Sequence, residues 1–146
     1  RVPYKKVLDR AAYEFFKDVD QNEKPVWTKN IEERGTVFKD TGRCYRSGIS
    51  FNPFLRRYIW WQAKFAEGIN GRLESKHFGV FDAPEPWGPW TTVYYTEKWD
   101  VTTGETGSFP PKWMSNDGRT MYLVFSGNDS FSVRKATLSL FTPEVR

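Results

Sequence analysis

The chain has 146 residues and a formal net charge of +4, with acidic and basic residues interspersed rather than blocked. That length holds one core or a share of a larger one, and the charge lacks the basic stripe or motif of a nucleic-acid binder. A lone cysteine, Cys44, excludes an internal disulfide, and no apolar run is long enough to cross a membrane as a helix.

Aromatic residues make up 18% of the chain, and in a β-rich protein such rings fill the core or stack on flat ligand faces. Residues 1–18 read two ways. Leu8, Ala12, Phe15, Phe16 and Val19 have helical spacing, with Asp9 placed to cap, whereas Tyr13-Glu14-Phe15-Phe16 alone reads as a short aromatic strand. A polar turn follows, then extended segments at Pro25-Val26-Trp27-Thr28 and Thr36-Val37-Phe38. Residues 45–51, the turn Asn52-Pro53-Phe54-Leu55 and residues 57–62 form a hairpin. Alternation puts Tyr45, Ser47, Ile49 and Phe51 on one face and Arg46, Gly48 and Ser50 on the other. Tyr58-Ile59-Trp60-Trp61 is bulky on both faces, which predicts a strand packed between two sheets.

Residues 78–81 then lead through Pro84, Pro86 and Pro89 to Trp90 and residues 91–95. Proline fixes φ and removes a donor, so this connection stays out of the ladder. Trp113-Met114-Ser115 reads as a strand entering the turn Asn116-Asp117-Gly118-Arg119, a strong hairpin signal, and residues 121–126 leave it. Residues 131–137 give a last strand.

Two kinds of hairpin recur. Asn52 matches Asn116 and Tyr58 matches Tyr122 at an offset of about 64 residues, and Phe16 and Trp27 match Phe81 and Trp90 at nearly the same offset. A period of that length holding two aromatic hairpins predicts one four-stranded blade of a β-propeller. The expected fold is therefore all-β: a partial propeller of about two and a half four-stranded antiparallel blades. It comprises a blade remnant over about 1–40, a full blade over about 44–96 and a last blade over about 108–141. The competing expectation is an irregular β-sandwich, which also shows short strands at regular spacing.

The run Phe81-Asp82-Ala83-Pro84-Glu85-Pro86-Trp87-Gly88-Pro89-Trp90-Thr91 resembles the Gly-Pro-Trp hairpin of five-bladed propellers that act on glycans, the arabinanase, fructosidase and xylosidase-like superfamily. Ser108-Phe109-Pro110-Pro111-Lys112-Trp113-Met114-Ser115-Asn116-Asp117-Gly118, followed by Leu123-Val124-Phe125-Ser126-Gly127, resembles the last blade of a poorly characterised family related to endo-arabinanases. The resemblance implies a five-bladed ring, this chain being its C-terminal part, with a polysaccharide or oligosaccharide bound at the axis. The cellular setting stays open, secreted or periplasmic being favoured over cytoplasmic. Missing N-terminal blades are the expected partner, with no nucleic acid or membrane; no cofactor is expected, a structural calcium ion staying open. Such propellers host both hydrolases and non-catalytic binders.

In a propeller the connections alternate between two ends. The rule puts 82–90 and 116–119 at the end away from the ligand, where Asp82 and Glu85 read as turn carboxylates. The ligand end takes 40–46, 64–75, 99–112 and 127–130. Arg46 and Lys112, near the starts of innermost strands, are the expected cationic ligand groups, with Tyr45 and Trp113 as stacking faces and Asp129 as a further binding residue. Glycoside hydrolysis usually takes two carboxyl groups, about 5–5.5 Å apart for retention and about 6.5–9.5 Å for inversion. Glu105 is the preferred candidate, its second carboxylate lying outside this chain. The alternatives are a non-catalytic glycan-binding module and a structural scaffold. His77, the only histidine, reads as structural, which disfavours a Ser-His-Asp mechanism.

Overall fold

Side-chain alternation, more than any one motif, sets the architecture, which we describe from a computed structural model. It describes residues 1–41, 46–67, 73–101, 103–127 and 130–141, with strand placement alone for 64–67, 73–76 and 103–105. The chain is all-β, with antiparallel sheets of two, four and three strands and a few single 3-10 turns, and it divides into two compact units.

The first unit comprises residues 1–39 and 86–88. Strands β1 (Phe15–Val19) and β2 (Pro25–Thr28) pair antiparallel, with Phe16 opposite Trp27 and a bulge between Phe16 and Asp18. The turn closes on Asp20, whose carboxylate accepts from the Asn22 and Lys24 amides at 2.8 and 2.9 Å. Trp27 meets Phe16 and Trp87 edge-on at 6.1 and 5.9 Å, and the Arg1 guanidinium lies 4.4 Å above its ring. The strand reading of Tyr13 to Phe16 thus prevails over the helical one, though Tyr13 and Glu14 precede the strand. Asp9 caps only the 3-10 turn Arg10–Ala12. The expected strand at Thr36 to Phe38 does not form.

The second unit comprises residues 40–85 and 89–146. Strands β3 (Arg46–Asn52), β4 (Arg57–Glu67), β5 (Leu73–Ala83) and β6 (Thr91–Thr96) form a sheet in sequence order, each antiparallel to the last. Strands β7 (Thr103–Ser108), β8 (Thr120–Gly127) and β9 (Ser130–Thr137) form a second sheet in the same manner. Registers Gly48↔Trp61↔Val80 and Arg46↔Ala63↔Phe78 put these residues on one face of the larger sheet. That face packs against Met121, Leu123 and Phe125 of β8, and both sides of the contact are buried. The other face of β4 is also covered. Gln62 is buried and donates to Asp40 at 2.9 Å, and Trp60 meets Trp90 edge-on at 5.4 Å. Strand β4 is therefore packed on both faces, as its bulky residues predict.

The two sheets meet most closely where β3 passes β7. The Trp61 indole N–H donates to the Gly107 carbonyl at 3.1 Å, and the Phe109 amide donates to Ser50 Oγ at 3.1 Å. Glycine on both strands permits the approach. A Cβ on Gly48 would fall 2.5 Å from the Gly107 oxygen, and one on Gly107 would fall 2.9 Å from the Trp61 ring. Away from this seam the sheets diverge, leaving a wedge between β5–β6 and β8–β9.

Beyond the end of β3 the sheets are pinned again. Asn52 is fully buried, its Oδ1 accepting from the Phe54 and Leu55 amides at 3.2 and 3.1 Å. Its Nδ2 donates to the Gly118 carbonyl at 2.9 Å, in the turn before β8. Gly118 has φ +70°, a left-handed conformation that suits glycine, and Asn52 Oδ1 and Leu55 occupy the space a Cβ would need. Asp117 completes the turn, accepting from Ser115 Oγ at 2.5 Å and the Arg119 amide at 3.0 Å.

Two expectations change here. Trp113-Met114-Ser115 is not the strand that pairs with β8. Pro110 and Pro111 lack the amides a ladder needs, so Pro111–Trp113 is a 3-10 turn, and Thr103–Ser108 takes the pairing instead. The matched pairs also face the wrong way for a ring built on that offset. Successive blades stack face to back, so a residue and its copy should point one into and one out of the shared interface. Trp61 and Phe125, matched at the expected offset, both point into it. A one-residue slip inverts every face, and matching Gln62 to Phe125 restores the face-to-back relation.

Candidate functional site

Strands β3 and β7 run side by side in the same direction, because Gly48 lies beside Gly107 and Ser50 beside Phe109. Their starts therefore fall at one end of the unit. Arg46 opens β3 on the face shared with Gly48 and Ser50, half-buried toward the second sheet. Glu105 lies in β7 near the same level by that pairing, as a strand residue rather than the expected loop residue, and its side chain lies outside the described residues. Tyr45 and Asp129 also lie outside the described residues.

Lys112 and Trp113 are at the other end. They follow Phe109, which is already level with Ser50, four residues beyond Arg46; that span alone is on the order of 13 Å of strand. Lys112 is exposed, and Trp113, 45% exposed, meets Tyr122 edge-on at 6.4 Å on the outer face of the second sheet. Arg46 and Lys112 thus do not converge on one ligand. The expectation failed because the prolines moved the strand upstream, leaving Lys112 after it rather than before it.

Several other acidic and titratable groups have structural partners. Asp82 is a strand residue of β5 rather than the expected turn carboxylate; it pairs with Arg57 at 2.7 Å and accepts from Thr91 Oγ1 across the ladder. His77 Nδ1 lies 2.9 Å from the Tyr95 hydroxyl, their rings stacked at 6.1 Å. Asp100 pairs with Arg134 at 2.7 Å. The carboxyls of Glu33 and Asp117 are held below the usual range, Glu33 chiefly by its hydrogen bond from Lys17 and Asp117 by that from Ser115. Neither lies at the seam. Among the described residues no three His, Cys, Asp or Glu side chains gather as metal ligands.

The wedge is the other concavity. It encloses about 650 Å³, with Phe78, Val80, Met121 and Leu123 on its floor. Trp99 lines it too, stacked on Phe78 at 4.1 Å with Arg134 5.8 Å from its ring centroid. Lys98 stands at its mouth with Asp100 and Arg134, whereas Lys135, opposite Tyr122 in the register, belongs to the outer face of the second sheet. Sequence reading passed over this site because its walls come from segments far apart in the chain. The one signal was Trp99, an indole in an otherwise polar linker.

No family model, curated protein or solved structure matches this chain. The resemblance to glycan-acting propellers rests on the motif residues themselves.

Proposed function

We propose that this chain is part of a five-bladed, glycan-binding β-propeller, its remaining blades supplied from outside these residues. The sugar is held where β3 and β7 begin. What supports the reading is the relation between the sheets. Two antiparallel meanders have their first strands side by side and parallel, touching at glycines, and they diverge outward like neighbouring blades. Arg46 at this end supplies a planar donor fork suited to vicinal hydroxyls or a carboxylate.

Calorimetric titration with arabino-oligosaccharides tests the reading. Binding is expected to weaken about tenfold or more in Arg46→Ala, on the scale of a charge-assisted hydrogen bond, and to be unchanged in Lys112→Ala. Absence of binding to any glycan, or loss through Lys112 rather than Arg46, overturns it. The placement of Glu105 in β7, near the level of Arg46, favours a second reading, a glycoside hydrolase whose other carboxylate belongs to another blade. Reducing-sugar release by the complete protein, abolished in Glu105→Gln, decides for the enzyme; intact binding without release decides against it.

A further inference from the structure

We propose that the wedge between β5–β6 and β8–β9 is the docking place of one more strand, an extended segment of a partner polypeptide that pairs with β9 and lies over β6. Pairing and packing within these two sheets carry it, so it stands apart from the glycan reading. The sheets oppose each other strand for strand until the last. Strand β3 lies beside β7, and β4 and β8 bury Trp61, Leu123 and Phe125 in one core. Strand β5 faces β9 across the wedge, with Val80 on one wall and Ala136 on the other. Strand β6 is the fourth of its sheet, whereas the second sheet has three among the described residues. The side chains of β6 show what is missing. Val93 and Tyr94 line the wedge yet stay 41% and 50% exposed, while Phe78 and Val80, one strand further in, are buried.

The edge of β9 is open at the same place. The Leu138 amide donates to the Arg119 carbonyl at 2.8 Å, which makes these two a hydrogen-bonded pair continuing the β8–β9 register. Bonded and non-bonded pairs alternate along an antiparallel ladder. Ser132, Arg134 and Ala136 therefore turn their amides to β8. Val133, Lys135 and Thr137 turn theirs to the side where the described residues supply no strand. An added strand binds such a row of free amides through its backbone, and alternate side chains fill the groove beside it. The occupant is a strand rather than a compact ligand because the gap continues both an existing ladder and an existing interface between sheets. Its inward residues are apolar, to cover Val93 and Tyr94; its outward ones are free to be polar.

Strand β6 already fills a fourth position, so a peptide of residues 90–98 is the probe. It is titrated into the protein by calorimetry, with deuterium exchange followed amide by amide. The peptide is expected to bind below millimolar concentration and to slow exchange at Val133, Lys135 and Thr137 more than at Arg134 and Ala136. A peptide carrying Thr92→Pro and Tyr95→Pro, which cannot join a ladder, should bind about tenfold more weakly. Tyr94→Ser in the protein, a change at an exposed side chain, should weaken the unaltered peptide about threefold or more, the scale of apolar area left uncovered. No binding at millimolar concentration, equal binding of the proline peptide, or protection confined to the β6 edge overturns the proposal. So does protection of the three β9 amides without peptide. Independent of protein concentration, it assigns the edge to residues 142–146; rising with concentration, it assigns the edge to a second copy of the chain.

Discussion

Asn52 shows how one side chain can hold two turns at once. Its amide oxygen organises the β3–β4 turn, while its amide nitrogen reaches the carbonyl of Gly118 before β8. Truncation leaves three backbone groups to find other partners in a buried site. Asn52→Ala should cost about 2–4 kcal/mol on the scale of unsatisfied buried polar groups, read as a lower urea midpoint with an unchanged slope. Asp117 acts at the surface. Its folded-state pKa lies below the ordinary 3.8, so the stability it contributes is present above that value and is lost as pH falls through the lower, folded-state one. Urea midpoints followed from about pH 5 to pH 2 should fall, and Asp117→Asn, which keeps an acceptor oxygen, should fall less steeply. Asn52 and Asp117 were both legible as turn residues. What the sequence did not show was that Asn52 serves the second turn as well as its own, because that bond links residues far apart in the chain.

Among the elements, β7 carries the lesson about reading strands. Residues 103–108 contain two glycines and no large apolar side chain, so neither alternation nor propensity marks them as a strand. The bulky pair Trp113-Met114 drew the assignment instead. The glycine that weakens the local signal is what lets β7 approach β3. Gly107→Ala places a methyl group against the Trp61 ring and Phe125, and Gly48→Ala places one against a carbonyl. Each should destabilise by about 1–3 kcal/mol, the usual cost of overpacking, measured by denaturant unfolding. Strand β8 was legible because its large residues alternate clearly, and β4 because it is bulky on both faces; the burial of each follows its pattern.

At the scale of the molecule, the sequence foretold an all-β chain with a four-stranded antiparallel unit over about residues 44–96 and a further sheet after it. It misjudged the register between them, because Asn and Tyr matched at fixed spacing say nothing about which way a strand faces. The candidate seam was legible in Arg46, whereas the wedge was not, since its floor joins β5 to β8.

The division into two units bears on how the chain opens. None of residues 1–39 is fully buried, and the β1–β2 hairpin rests largely on the rings around Trp27 and on surface ion pairs. The β4 and β8 amides, by contrast, lie over a shared apolar interior. Native-state deuterium uptake should separate the two, with hairpin amides exchanging through small fluctuations and β4 and β8 amides only through global opening. Proteolysis in mild denaturant should then release an N-terminal peptide first, leaving a resistant fragment that still contains both larger sheets.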